Sequence, residues 1–461
     1  MKRLLQNVLR QSATSAIAVI CIVSATLSGA SAQSDGINLV RDTEIENTIR
    51  VYAAPIFDAA DLDPSAVRIH LVNSSVLNAF VANGQRIFVH TGLLLRAENA
   101  GQVIGVLAHE VGHITGGHLA RFRDGIDSAQ TSAIAGLLLG IPAAIATGRA
   151  DIAIAASALG QHVGQRQFLQ YTRGMEQSAD QAATTYLDRA GISASGFEEF
   201  LKILLEQDKL YSGETNAYTR THPLSQDRID FIENHLKSST AAHSPLNKTY
   251  TRLHDRMRAK IAGYTLSPGE VATRYPPEDT SIPAYYAHAM SLMQQSHAKE
   301  ALKYIDLLLE REPENPFFHE LKGDILRDSG RLEESLEPYR KAVEILPWAA
   351  LIRLSLARSL VDLNNVEYED EAEKNLNEAL RYEPWLTGGW RVLGTIYSRR
   401  NDTGNLALAQ AEETIRTRRA DAAKVHAKRA MEILPEGSPG WLRAQDILVQ
   451  ASKGQIVDEA E

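Results

Sequence analysis

Prolines that close helical stretches recur at Pro313, Pro347 and Pro384, and their spacing constrains half of this chain more tightly than any other feature. The first interval is 34 residues, the period of a tetratricopeptide helix pair, and the second is longer by three. Counting back from Pro347 puts Gly323, Leu326, Ser335, Tyr339 and Ala342 at the small and large packing positions of one repeat. Ala357, Leu360, Ala372, Leu376 and Ala379 stand at the same positions before Pro384, with the extra residues falling in a turn near 364–369. Trp390, Leu393, Gly394 and Tyr397 repeat the first-helix signature. Its second helix is expected at Ala423, Ala427 and Ala430, before Pro435, after an insertion of about seventeen residues. The reading is four repeats from 282 to 436 and a capping helix near 441–451. A helix pair cannot bury its apolar face alone, so stacking creates a continuous core and a concave surface. That surface either binds segments of other proteins or shields another part of its own chain.

The first residues carry a different pattern. Lys2, Arg3 and Arg10 form a basic start, 13–27 is uncharged and apolar, and Ala30-Ser31-Ala32 has the small residues of a cleavage site. An exported chain cut after Ala32 is expected, with a permanent anchor as the competing reading. Loss of the three basic residues makes the formal charge of −9 more negative by three. An acidic chain argues against nucleic acid as a partner. The single cysteine, Cys21, lies in the segment to be removed, so no disulfide is expected, and export of such a chain fits a bacterial periplasm.

Chemistry enters at His109-Glu110-Val111-Gly112-His113, which continues the apolar run 103–108. On a helix, residues four apart lie on one face, so both imidazoles meet at one point. Two such nitrogens suit a tetrahedral zinc ion, with Glu110 close enough to act as general base on its water. A zinc peptidase needs a third protein ligand. In the pattern H-E-x-x-H-x-x-G-x-x-H the third histidine would fall on Leu119; His118 is one residue early, so that class is rejected and His118 is read as a supporting or surface residue. Glu176, in a helical stretch over 167–190, is the better candidate, with Asp180 one turn on to accept a ligand histidine's free N–H. The competing reading is a solvated acidic face, opposed by the flanking Ala179, Ala182, Ala183, Tyr186 and Leu187.

Ahead of the motif, 41–61 reads as a helix and 66–72 as a strand. Two further strands, 77–82 and 86–90, flank Asn83-Gly84 as a hairpin. His70 and His90 are read as ordinary sheet residues, and an exposed sheet edge as either structural or a place for an extended peptide. The stretch 128–159 is apolar and broken near Pro142: a lid, a peripheral membrane contact or a span.

HEVGH, then Glu176-Gln177-Ser178-Ala179-Asp180, then Thr221-His222-Pro223 with Arg228, together resemble one zinc peptidase family over about residues 40–235. It includes the CAAX prenyl endopeptidases, the HtpX-type membrane proteases and a periplasmic branch that enhances beta-barrel assembly. The resemblance implies a mainly α fold: a helical zinc-metallopeptidase (gluzincin) domain with a small β-sheet, followed by an α-solenoid of tetratricopeptide repeats. It implies one Zn2+ per chain held by His109, His113 and Glu176, Glu110 as the base and Asp180 as the ligand's partner. His222 and Arg228 match a motif pair near the metal, implied to stabilise an oxyanion or to regulate. If His222 itself fills the fourth zinc position, the enzyme rests inactive; a loop histidine with no role is the third reading. The expected segments are a signal peptide (1–32), a peptidase domain (33–237), a linker and connecting helix (238–281) and the repeats (282–461). Signal, peptidase and repeats together resemble the beta-barrel branch. That likeness implies quality control of outer-membrane proteins in the periplasm of a Gram-negative bacterium, with unfolded outer-membrane proteins and their assembly machinery as partners. The rival is a periplasmic chaperone or scaffold with a latent metal site.

Overall fold

The computed structural model describes residues 38–82, 84–119, 172–210, 218 and 222–453. The expected signal segment and the apolar stretch 128–159 lie outside the described residues. The fold is mainly α with one small sheet, as the sequence predicts.

Helix α1 (Thr43–Ala59) starts at Asp42, whose carboxylate accepts from the Ile45 amide, and Glu44 and Glu46 sit in its first turn. Such a start satisfies free amides and complements the helix dipole. Ile49, Tyr52, Ala53 and Ile56 form its buried face. The sheet that follows has the order β1-β2-β4-β3 (Leu39–Val40, Arg68–Val72, Arg86–His90, Ala79–Ala82). Strands β3 and β4 make the expected antiparallel hairpin, pairing Ala79 with Val89 and Ala82 with Arg86. Strand β4 then inserts beside β2 in parallel, and β1, too short to show a sequence period, closes the other edge. His70 stacks on Phe88 in the sheet, a packing role.

Helix α2 (Thr91–Arg96) follows β4 directly, and α3 (Ala100–Thr115) carries the HEVGH run behind an Asn99 cap that accepts from Gln102. Nearly all of α3 is buried, against α1, β3 and α5 (Ser195–Leu210). Helix α4 (172–189) crosses α3 at Gly112, where an added Cβ would lie 2.7 Å from the Ala179 carbonyl oxygen. Only glycine permits that approach, which brings Glu176 and Asp180 to the histidines. Helix α6 (Gln226–Ser238) carries Arg228.

Helix α7 (Lys248–Thr265), expected as a connection, is buried on two sides. Met257 and Ile261 join the core of the sheet and α3, while Ala259 packs with Tyr286 in the next core. After α8 (Pro268–Arg274) come antiparallel helix pairs: α9 (Ile282–Gln294) with α10 (Ala298–Arg311), α11 (Pro316–Asp328) with α12 (Leu332–Ile345), and α13 (Ala350–Asp362) with α14 (Glu369–Tyr382). Serine or asparagine caps followed by proline start α9 and α11. Ser335, Tyr339, Ala342, Ala357, Ala372 and Leu376 are fully buried, and Tyr339 covers Gly323. One feature differs from the sequence reading. The seventeen-residue insertion is largely a helix, α16 (Thr403–Arg416), packed between α15 (Thr387–Arg399) and α17 (Ala420–Ile433). Ala407, Ala411 and Ile415 give it a buried face with no proline to mark its end. Helix α18 (Pro439–Ser452) closes the array.

The array touches the N-terminal half through charges. Tyr286 Oη donates to Glu44 Oε2 at 2.5 Å, Arg256 pairs with Glu44, Arg41 Nη2 reaches Glu383 at 2.9 Å, and Arg68 lies over the Trp385 ring. Among the described residues no helix is long and apolar enough to cross a membrane.

Candidate metal centre

One helical turn separates His109 from His113 on α3, and their Nε2 atoms lie 3.0 Å apart. Helix α4 brings Glu176 against both: Oε2 is 3.4 Å from His109 Nε2 and Oε1 is 3.3 Å from His113 Nε2. From the chain before α6 comes His222, whose Nδ1 is 3.3 Å from His109 Nε2 and 3.3 Å from Glu176 Oε1. These four residues are the group able to hold a metal ion among the described residues. A tetrahedral ion at about 2.0–2.1 Å from its ligands sets neighbouring donors about 3.3–3.4 Å apart. The separations here, 3.0–3.4 Å, lie near that spacing, and the four donors together fall within 4.8 Å of one another, a cluster compatible with one ion.

Glu110 lies beside this set. Its side chain is fully buried, both oxygens lack a hydrogen-bond partner, and Oε1 is 3.4 Å from His222 Nε2. A buried carboxylate without partners is costly, so the position suits a group that receives a proton from a bound molecule. Burial pushes the Glu110 carboxyl up, against the pull of His222 and His109.

Asp180 Oδ1 is 2.9 Å from His109 Nδ1, which turns His109 Nε2 toward the other donors. Arg228 holds Asp180 in a fork, Nε to Oδ2 at 2.7 Å and Nη2 to Oδ1 at 2.8 Å. Its Nη1 reaches Glu176 Oε2 at 2.8 Å and the Pro223 carbonyl at 3.2 Å. The guanidinium is thus engaged by the two acids and by the backbone beside His222. Burial opposes charge on His109, yet Asp180 and Glu176 push it up to about 9. Burial pushes His113 down to about 3, with Glu176 opposing and His109 and His222 adding. Burial works against ionised Glu176 and Asp180 too, but His222 and the other histidines hold Glu176 well below the usual carboxylate range, and Arg228 and His109 lower Asp180.

One neighbour escaped the sequence reading, and another was left between two readings. Tyr218 stacks on His222 with ring centroids 4.6 Å apart, and its carbonyl accepts the His222 amide at 2.7 Å. Their four-residue spacing was the only signal. His118, read as supporting or surface, is 3% exposed, with Nδ1 2.9 Å from His113 Nδ1.

Comparison with known proteins agrees with this geometry. Residues 40–236 match the family model described as Peptidase family M48. The chain is 25% identical over 397 residues to the beta-barrel assembly-enhancing protease of Escherichia coli (strain K12), covering 84% of this chain and 78% of the relative. It is 26% identical over 306 residues to the protein of that name from Yersinia pestis, covering 63% and 60%. The metalloprotease YcaL of Escherichia coli (strain K12) is 25% identical over 178 residues, covering 39% and 65%. The buried histidine and glutamate cluster falls inside the matched residues, and the likeness of that segment to peptidase family M48, with the relatives' names, supports a metalloendopeptidase.

Proposed function

We propose that the chain is a zinc-dependent endopeptidase of the Gram-negative periplasm that acts in quality control of outer-membrane proteins, and that it rests in a closed state. The observation that carries the reading is the set of four donor residues, with ligand atoms all within 4.8 Å of one another, and the buried Glu110 carboxylate beside them. His109, His113 and Glu176 would hold the ion, for which two imidazoles and a carboxylate are a fitting zinc set. Zinc, when bound, supplies a Lewis acid that polarises the peptide carbonyl and makes water a better nucleophile at neutral pH. Glu110 takes the proton from the attacking water and later gives it to the leaving amine, a cycle favoured by its raised affinity for a proton. Asp180 fixes the His109 ring, and Arg228 fixes Asp180 and Glu176.

His222 Nδ1 stands where a fourth ligand would, which supports its reading as a brake that leaves when substrate enters. The same contact favours the second reading, a chaperone or scaffold with a latent site. The names of the relatives support the outer-membrane role. The helix pairs are proposed as tetratricopeptide repeats that bind unfolded outer-membrane proteins or their assembly machinery.

The test is zinc content together with cleavage of an unfolded outer-membrane protein, for wild type, Glu110→Gln and His222→Ala. The proposal expects one zinc per chain in wild type and Glu110→Gln, no cleavage by Glu110→Gln, and faster cleavage by His222→Ala. Zinc without cleavage in all three moves the chaperone reading ahead, and absence of zinc removes the peptidase mechanism.

A further inference from the structure

His109 and His113 present the same atom, Nε2, to the other donors, but their far nitrogens meet different partners. His109 Nδ1 faces the carboxylate of Asp180 at 2.9 Å, whereas His113 Nδ1 faces Nδ1 of another imidazole, His118, at 2.9 Å. Two ring nitrogens at that distance share one proton: one donates and the other accepts. A histidine that gives Nε2 to a metal keeps its proton on Nδ1. His113 therefore donates, and His118 accepts with its own proton on Nε2.

Two adjacent glycines place this acceptor. Gly117, at φ +61°, takes the left-handed conformation just past the end of α3 and redirects the chain at His118. Gly116 has an ordinary helical backbone, yet a Cβ there would lie 2.3 Å from His118 Nε2 and 2.7 Å from Cδ2. Its missing side chain is the space in which the His118 ring lies. The sequence Gly116-Gly117-His118 is thus a built bracket at the end of the HEVGH helix.

We propose that His118 is a positioning residue: it accepts the Nδ1 proton of His113 and so holds His113 Nε2 toward the metal, and Gly116 is small in order to admit it. The inference rests on the metal reading above. A neutral imidazole adds less negative charge to its ligand than Asp180 adds to His109, so His113 is the more weakly held of the two ligands.

The test measures the Zn2+ dissociation constant of the full-length chain by competition with a chromophoric chelator. His118→Phe keeps a ring of similar size without an acceptor; His118→Asn keeps an acceptor oxygen near the position of Nδ1; Gly116→Ala drives the native ring away. Weakening of about 10- to 100-fold is expected for His118→Phe and Gly116→Ala, on the scale for loss of a ligand's supporting partner. His118→Asn should stay within a few-fold of wild type. Wild-type affinity in a folded His118→Phe overturns the proposal, because a purely space-filling role would be met by phenylalanine. If His118→Phe fails to fold by circular dichroism, Gly116→Ala decides: unchanged affinity there overturns it, and weakening with rescue in His118→Asn supports it. Absence of Zn2+ binding by wild type is a separate outcome that overturns the metal reading itself.

Discussion

Arg228 reaches Asp180 through two parallel hydrogen bonds, Nε to Oδ2 at 2.7 Å and Nη2 to Oδ1 at 2.8 Å, and both side chains are almost completely buried. Through this fork, helix α6 sets the carboxylate that orients His109, and the same guanidinium holds Glu176. Helices α3, α4 and α6 are tied at one point by charge.

Removing the arginine leaves two buried carboxylates without their cation. Arg228→Met is expected to destabilise the metal-free chain by about 3–5 kcal/mol, the range for breaking one side of a buried pair. Arg228→Lys should fall between, since an ammonium cannot make the two-pronged contact. Urea unfolding after chelation measures both. Equal stability of all three proteins would contradict a structural role for the pair.

Gly112→Ala tests the approach of α3 and α4. The new Cβ would stand 2.7 Å from the Ala179 carbonyl oxygen, with backbone on both sides, so the helices must separate. That moves Glu176 away from both histidines. The expected result is near-native helical content, lost stability of about 1–3 kcal/mol from overpacking, and Zn2+ binding weakened at least tenfold. Chelator competition and circular dichroism read the two effects separately.

His254 gives a pH dependence outside the metal centre. Its ring is 1% exposed and its Nε2 donates to the Ala97 carbonyl at 2.9 Å. Burial pushes it down to about 4, despite that hydrogen bond, with Arg258 and Arg274 adding. The folded state therefore keeps this ring neutral while the unfolded chain takes up a proton below about 6.5. The contribution is absent above that pH, and stability falls as pH drops from about 6.5 toward 4, then levels. The slope from this one group approaches about 1.4 kcal/mol per pH unit inside the window. Urea midpoints of wild type and His254→Gln at pH 7, 6, 5 and 4 check the sign. The variant should be less stable at pH 7 and lose less on acidification; a steeper loss in the variant would contradict the assignment.

The sequence shows some of this molecule plainly and hides the rest for physical reasons. Helical periodicity places His109 and His113 on one face of α3 without any tertiary knowledge, and the alanine-rich flank of Glu176 shows that α4 faces inward. The β3–β4 hairpin is legible because its pairing is local. The parallel pairing of β2 with β4 is not, because it joins strands separated by β3 and has no turn to announce it. Strand β1 has two residues, fewer than an alternation needs. Helix α16 was hidden because its small buried residues match neither half of the repeat signature and no proline closes it. Within the centre, Arg228 is named by its motif, but its grip on Asp180 and Glu176 depends on where α6 docks. His118 needed the φ of Gly117 and the space above Gly116.

X-ray absorption at the zinc edge of the purified full-length chain tests the central claim most directly. The account predicts one zinc with four nitrogen or oxygen donors at about 2.0–2.1 Å and the scattering of three imidazoles. His222→Ala should retain the ion and lose one imidazole from that shell. A shell unchanged in His222→Ala, or a wild-type chain that binds no zinc, would contradict it.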